Sequence, residues 1–110
     1  MLKKRERLTR AQFNEYFSSG RRIHSPSLTI IHVPHSQFSG AVVVGKKVHK
    51  KAVDRNRLRR RVYNQLYQQK LKHDLVGVYI CIVKPAAKEL SSDGLGQEME
   101  GLLARIKKAR

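Results

Sequence analysis

Apolar residues follow two rhythms along this chain. Three segments repeat every third or fourth position, the period of a helix. Three others run apolar almost without interruption and are rich in β-branched residues, as strands are. The first helical segment opens at Thr9, which is placed to cap. Gln12, three residues later, completes a capping box, and Leu8 can staple onto Phe13. Phe13, Tyr16 and Phe17 then share a face, and Gly20 stands where helices end in a C′ glycine. A second helix is predicted over 52–72, with Leu58, Val62 and Leu66 in one stripe widened by Tyr63 and Tyr67. The third aligns Leu95, Met99, Leu102, Leu103 and Ile106. Asp93 and Glu98 near its start and Arg105, Lys107 and Lys108 at its end suit the helix dipole. Gly96 and Gly101 weaken it, so packing must hold it.

The strand-like segments are 27–33 (SLTIIHV), 41–45 (AVVVG) and 76–83 (VGVYICIV). The short turn between the first two predicts an antiparallel pair. The third is apolar on both faces, which predicts a central strand. Its sequence neighbours are helices, so a parallel crossover connection is expected. The order helix, strands, helix, strand, helix gives an α+β two-layer sandwich. It forms a single domain over 1–110, with residues 1–7 expected as a flexible basic N-terminus.

Composition sharpens this picture. With 40% hydrophobic but only 6% aromatic residues and no Trp, the core must be aliphatic. Twenty-four Lys and Arg against eight acids leave a net charge of +16. So large an excess repels itself in a compact chain unless a polyanion neutralises it. A nucleic acid is the expected partner. A membrane surface is not, because it would call for a basic amphipathic helix with bulky apolar residues or a lipid anchor, and the termini offer neither. Nor does any segment approach the roughly 20 apolar residues needed to span a bilayer. The basic start, MLKKRERLTR, lacks the apolar stretch of a secretory signal. Cys81 is alone, so it reads as a buried, inert thiol, and the expected location is cytoplasmic.

The eight acids are scattered and form no carboxylate cluster of the kind a metal-dependent nuclease needs. His32 and His35 have no further ligand beside them and read as surface or half-buried residues. No catalytic residue and no metal site is predicted. A phosphate-binding surface is. In 46–66, KKVHKKAVDRNRLRRRVYNQL, Lys46, Lys47, Lys50 and Lys51 precede the helix. Arg55, Asn56, Arg57, Arg59, Arg60 and Arg61 stand on its first turns. Arg presents a planar fork matched to phosphate, and a helix N-terminus adds its dipole. Val53, Leu58, Val62 and Leu66 interrupt the charges and anchor the mount; the basic end is expected to overhang the core.

Lys46-Lys47, a short basic loop, Ala52 and then RNRLRRRV resemble the signature of the bacterial ribonuclease P protein subunit family. RERLTRAQFNEYF is similar to that family's N-terminal helix, and DLVGVYICIVKPAA to its hydrophobic strand. The resemblance implies a sheet of about four strands with a left-handed βαβ crossover, as in a ribosomal-protein domain. It implies partnership with a catalytic RNA that removes the 5′ leader from precursor tRNA. No cofactor is expected on the protein alone; Mg²⁺ is required by the RNA-containing holoenzyme. Lys46, Lys47, Arg55, Asn56, Arg57, Arg59 and Arg60 are implied to contact the catalytic RNA. Phe13 and Phe17, with Tyr16 beside them, are implied at a leader cleft, partly packed and partly lining it. The facing strand has Ile30, Ile31 and His32 where some relatives carry an aromatic. No obligate protein partner is evident. The alternative reading is a ribosomal or other structural RNA-binding protein.

Overall fold

The computed structural model describes residues 6–108, with the side chains of 107 and 108 outside that description. Helix α1 (Arg10–Ser19) is followed by β1 (Arg21–His24), β2 (Leu28–Val33) and β3 (Phe38–Val44). Then come α2 (Ala52–His73), β4 (Gly77–Val83), a 3-10 turn (Pro85–Glu89) and α3 (Ser92–Lys108). The strands make one mixed sheet in the order β1-β2-β4-β3.

The predicted pairing of 27–33 with 41–45 does not form. The two strands do run in opposite directions, but β4 lies between them, antiparallel to β2 and parallel to β3. Only Ile82 of β4 falls short of full burial. A strand apolar on both faces gains most from the centre, and β4 takes that place. The 34–37 connection therefore steps across two strand spacings, about 10 Å, within the reach of four residues. Strand β1 has a single buried residue, Ile23, and shows no apolar run in the sequence.

Alternation along the strands divides the side chains between two faces. On one, Ile23, Leu28, Ile30, Phe38, Val42, Val44, Tyr79, Cys81 and Val83 pack against Leu58, Val62 and Leu66 of α2 and Leu95, Met99, Leu102, Leu103 and Ile106 of α3. Where α3 packs on α2, Gly96 faces the amide end of the Gln65 side chain, 2.4 Å from where a Cβ would stand. The other face carries Ile31, Val78 and Ile80, partly covered by Leu8, Phe13, Tyr16 and Phe17. Helix α1 thus lies opposite α2 and α3.

Several local expectations change. Gly20 ends α1 in extended backbone (φ −75°, ψ 155°), not in a left-handed cap. Glycine is needed there for close approach, because a Cβ would lie 2.2 Å from Ile31 Cγ2. Val53 is 59% exposed and anchors nothing, since it precedes the buried stripe. Of the segment expected to be flexible, residues 1–5 lie outside the described residues. Glu6 is buried and ion-paired with Lys70, and Arg7 bridges to Gly40 on the open edge of β3. Residues 6–8 therefore wrap that edge on the way to α1. His32 is buried, not superficial. Its Nδ1 lies 3.1 Å from the Val78 carbonyl, and its ring packs on Tyr79 at 4.7 Å.

Candidate nucleic-acid interface

The loop from β3 to α2 is basic, yet it is pinned. Val48 is 4% exposed and buries into the α2–α3 core, leaving Lys46 and Lys47 on one side of it and Lys50 and Lys51 on the other, all exposed. Arg55 completes the brace. Its Nη1 donates to the carbonyls of His49 (3.1 Å) and Lys50 (2.7 Å). Arg55 therefore shapes the loop through Nη1, and no hydrogen bond among the described residues engages its Nη2 or Nε. Helix α2 begins at Lys51 without a side-chain cap. The first N–H groups face outward among lysines, with Asp54 the lone acid in that turn.

The remaining arginines divide by partner. Arg59 donates to the Asn56 amide oxygen, which holds both side chains on the exposed surface. Arg61 is half-buried and donates to the Leu90 carbonyl at 2.8 Å, tying α2 to the connection before α3. Arg57 and Arg60 are exposed and make no hydrogen bond or ion pair among the described residues, and neither do the four lysine side chains. The ion pairs among the described residues, Lys70–Glu6, Lys72–Glu100 and His73–Glu100, all fall at the other end of α2. The basic end is left uncompensated.

The second surface is the α1 face of the sheet. The capping box forms as expected: Gln12 N–H donates to Thr9 Oγ1 at 3.2 Å, and Thr9 N–H to Gln12 Oε1 at 3.0 Å. This fixes α1 so that Phe13 and Phe17 stack, with centroids 5.5 Å apart and planes 28° off parallel. Strand register sets the floor in rows. One row runs Arg22–Ile31–Ile80–Ala41 and the next His24–Thr29–Ile82–Val43. Ala41, Val43 and Ile82 stay half-exposed because α1 covers only part of the face. The second row lies at the end of the sheet from which Lys46 and Lys47 depart. Ile30 and His32 point to the opposite face, so β2 offers this face Thr29, Ile31 and Val33 and no aromatic. Arg22 and Val48 escaped the sequence reading. Arg22 sits in the unrecognised β1, and Val48 is one apolar residue among lysines.

Among the described residues, no three His, Cys, Asp or Glu side chains converge to hold a metal ion. Burial pushes the Cys81 thiol up to about 12, which keeps it protonated and unreactive. No helix of the described chain is long and apolar enough to cross a membrane.

Known proteins place this architecture. The chain is 34% identical over 105 residues to the ribonuclease P protein component of Synechococcus elongatus, covering 87% of this chain and 84% of that one. It is 33% identical over 99 residues to the ribonuclease P protein component of Xylella fastidiosa, covering 88% and 72%. In fold, the RNase P protein from Thermotoga maritima superposes with a TM-score of 0.79 at 21% identity, over 91% of this chain and 96% of that one. A Staphylococcus aureus RNase P protein mutant reaches 0.82 at 23% identity, over 94% and 90%. Residues 2–107 match the Ribonuclease P family as a whole. The four-stranded mixed sheet, the pinned basic loop and these likenesses agree, and the chain belongs to the ribonuclease P protein family.

Proposed function

We propose that this chain is the protein subunit of a ribonucleoprotein that removes the 5′ leader from precursor tRNA, with an RNA partner performing the cleavage. The observation that carries this reading is the uncompensated basic end of α2 with its pinned loop. Lys46, Lys47, Lys50, Lys51, Arg57 and Arg60 have no acid partner among the described residues, and they sit on a rigid mount. Charges held in place bind phosphates with less ordering cost than charges on a mobile tail. Asn56 and Arg59, held together, offer further donors to the same RNA, while Arg55 and Arg61 keep the loop and helix in position.

The α1 face suits the leader. A single strand is held by stacking on aromatic faces beside positive charge, and the Phe13–Phe17 stack over the half-open apolar floor offers that combination, with Tyr16 packed at its base. Mature tRNA has no leader, so contacts here favour substrate over product. Mg²⁺ enters with the RNA in this reading, and the protein's part is to bind and orient.

Reconstitution tests it. RNA-free protein should leave precursor tRNA intact, and adding the catalytic RNA should give Mg²⁺-dependent cleavage at the 5′ end. Site-specific cleavage by the RNA-free protein, or copurification with ribosomes instead of one structured RNA, would contradict the reading.

A further inference from the structure

The α1 face carries one cation that the leader reading leaves without a task. Arg22 projects from β1 onto the same row as Ile31, Ile80 and Ala41. Its guanidinium carbon lies 4.6 Å from the centroid of the Phe17 ring, and its Nη2 donates to the Phe17 carbonyl at 3.1 Å. Phe17 therefore contacts both the Phe13 ring and the Arg22 guanidinium, and the three side chains form one cluster at the end of α1. No carboxylate pairs with Arg22 among the described residues, and its side chain is exposed.

We infer that Arg22 grips a phosphate of the single strand at the β1 side of the cleft, as the charged member of the Phe13, Phe17 and Arg22 cluster. The inference rests on the leader reading above. A guanidinium has five N–H donors in a fixed fork, and the carbonyl of Phe17 uses one of them. The ring and the carbonyl hold the fork still, so little side-chain freedom remains to be lost when an anion arrives. Ile31 and Ile80 beside it are fully buried under α1, and the open apolar floor is Ala41, Val43 and Ile82, over which bases can lie while their backbone turns outward to the cation. The arrangement also places a planar group at the cleft of a chain whose β2 contributes no aromatic there. Lysine would supply the charge but not the fork.

The test uses reconstituted holoenzyme with Arg22→Gln, Arg22→Lys and Phe13→Ala. Each variant is titrated with precursor tRNA and with mature tRNA over a range of salt. Arg22→Gln should weaken precursor binding about tenfold, as loss of a charge-assisted contact does, and leave mature tRNA unchanged. The slope of log affinity against log salt should fall by about 0.7, one single-strand phosphate. Arg22→Lys should restore the slope while recovering only part of the affinity. A weakened affinity with an unchanged slope would mean that Arg22 merely props Phe17, and would overturn the inference. Equal losses for both tRNAs would overturn it too. If Phe13→Ala discriminates between the tRNAs and Arg22→Gln does not, the cleft stands and the role of Arg22 falls. If Phe13→Ala fails to discriminate, the leader reading falls and this inference with it. Should Arg22→Gln fail to assemble, Arg22→Lys decides: a full-affinity lysine variant would contradict the fork.

Discussion

The two ends of α2 are built from similar residues and put to different ends. Over Val62–His73, Val62, Leu66 and Gln69 are buried, and the side chains of Lys70, Lys72 and His73 meet Glu6 and Glu100. Over Ala52–Arg61, Leu58 alone is buried, and Arg57 and Arg60 meet no acid among the described residues. One helix is therefore half core element and half display. The difference teaches that the count of positive charges says less than where the eight acids of the chain are spent.

The largest way to break the contrast is to cut the buried half. Leu66 is fully buried between the sheet and α3, and Leu66→Ala should cost about 2–5 kcal/mol of folding stability in denaturant unfolding. A loss below about 1 kcal/mol would mean that the C-terminal half does not carry the helix.

Arg55 and Arg57 sharpen the contrast inside the basic half. Arg55 donates twice to loop carbonyls while Arg57 has no such bond. Arg55→Ala should lower stability by about 1–2 kcal/mol through the lost charge-assisted bonds. Arg57→Ala should stay within about 0.5 kcal/mol of the parent, as exposed surface changes do. Equal melting behaviour of the two variants would remove the distinction between brace and ligand contact.

How far such roles could be read from the sequence depends on the range of the contact. The stripe of Leu58, Val62 and Leu66 and the spacing of Leu95, Met99, Leu102, Leu103 and Ile106 are local periodicities, and the helices follow them. The capping box of Thr9 and Gln12 is equally local. Strand adjacency is not. Whether β2 lies beside β3 or beside β4 depends on a strand more than thirty residues further on, which no turn signal contains. The basic cluster was legible as a cluster. The division of labour within it was not, because Arg55 and Arg61 each donate from one guanidinium nitrogen to backbone carbonyls, and every residue type carries one. Arg22 was hidden for a related reason: β1 is four residues long with one buried side chain, too short for a period to show.

The smallest expected effect lies beyond α2 altogether, at Glu98 on α3. Burial works against its carboxylate. Hydrogen bonds from the Ser27 hydroxyl and N–H, with the nearby Ser25 hydroxyl and the charge of Lys84, outweigh that penalty and hold its pKa below the usual Glu value. A depressed carboxylate stabilises the fold above its unfolded pKa and loses that contribution as pH falls through the folded one. Glu98→Gln should thus lower Tm modestly at neutral pH, and the gap from the parent should close as the solution is acidified through and below the ordinary carboxylate range. A gap independent of pH would assign the loss to shape rather than charge.

The central claim is that the N-terminal half of α2 is held rigid by its own loop in order to meet phosphates. It is tested most directly by the salt dependence of catalytic-RNA binding for the parent and for the double variant Arg57→Ala, Arg60→Ala. Each arginine should account for about one phosphate, so the slope of log affinity against log salt should shrink by about 1 to 2. The melting transition should not move. An unchanged slope, or a lost transition, would contradict the claim and return these arginines to an ordinary solvated helix face.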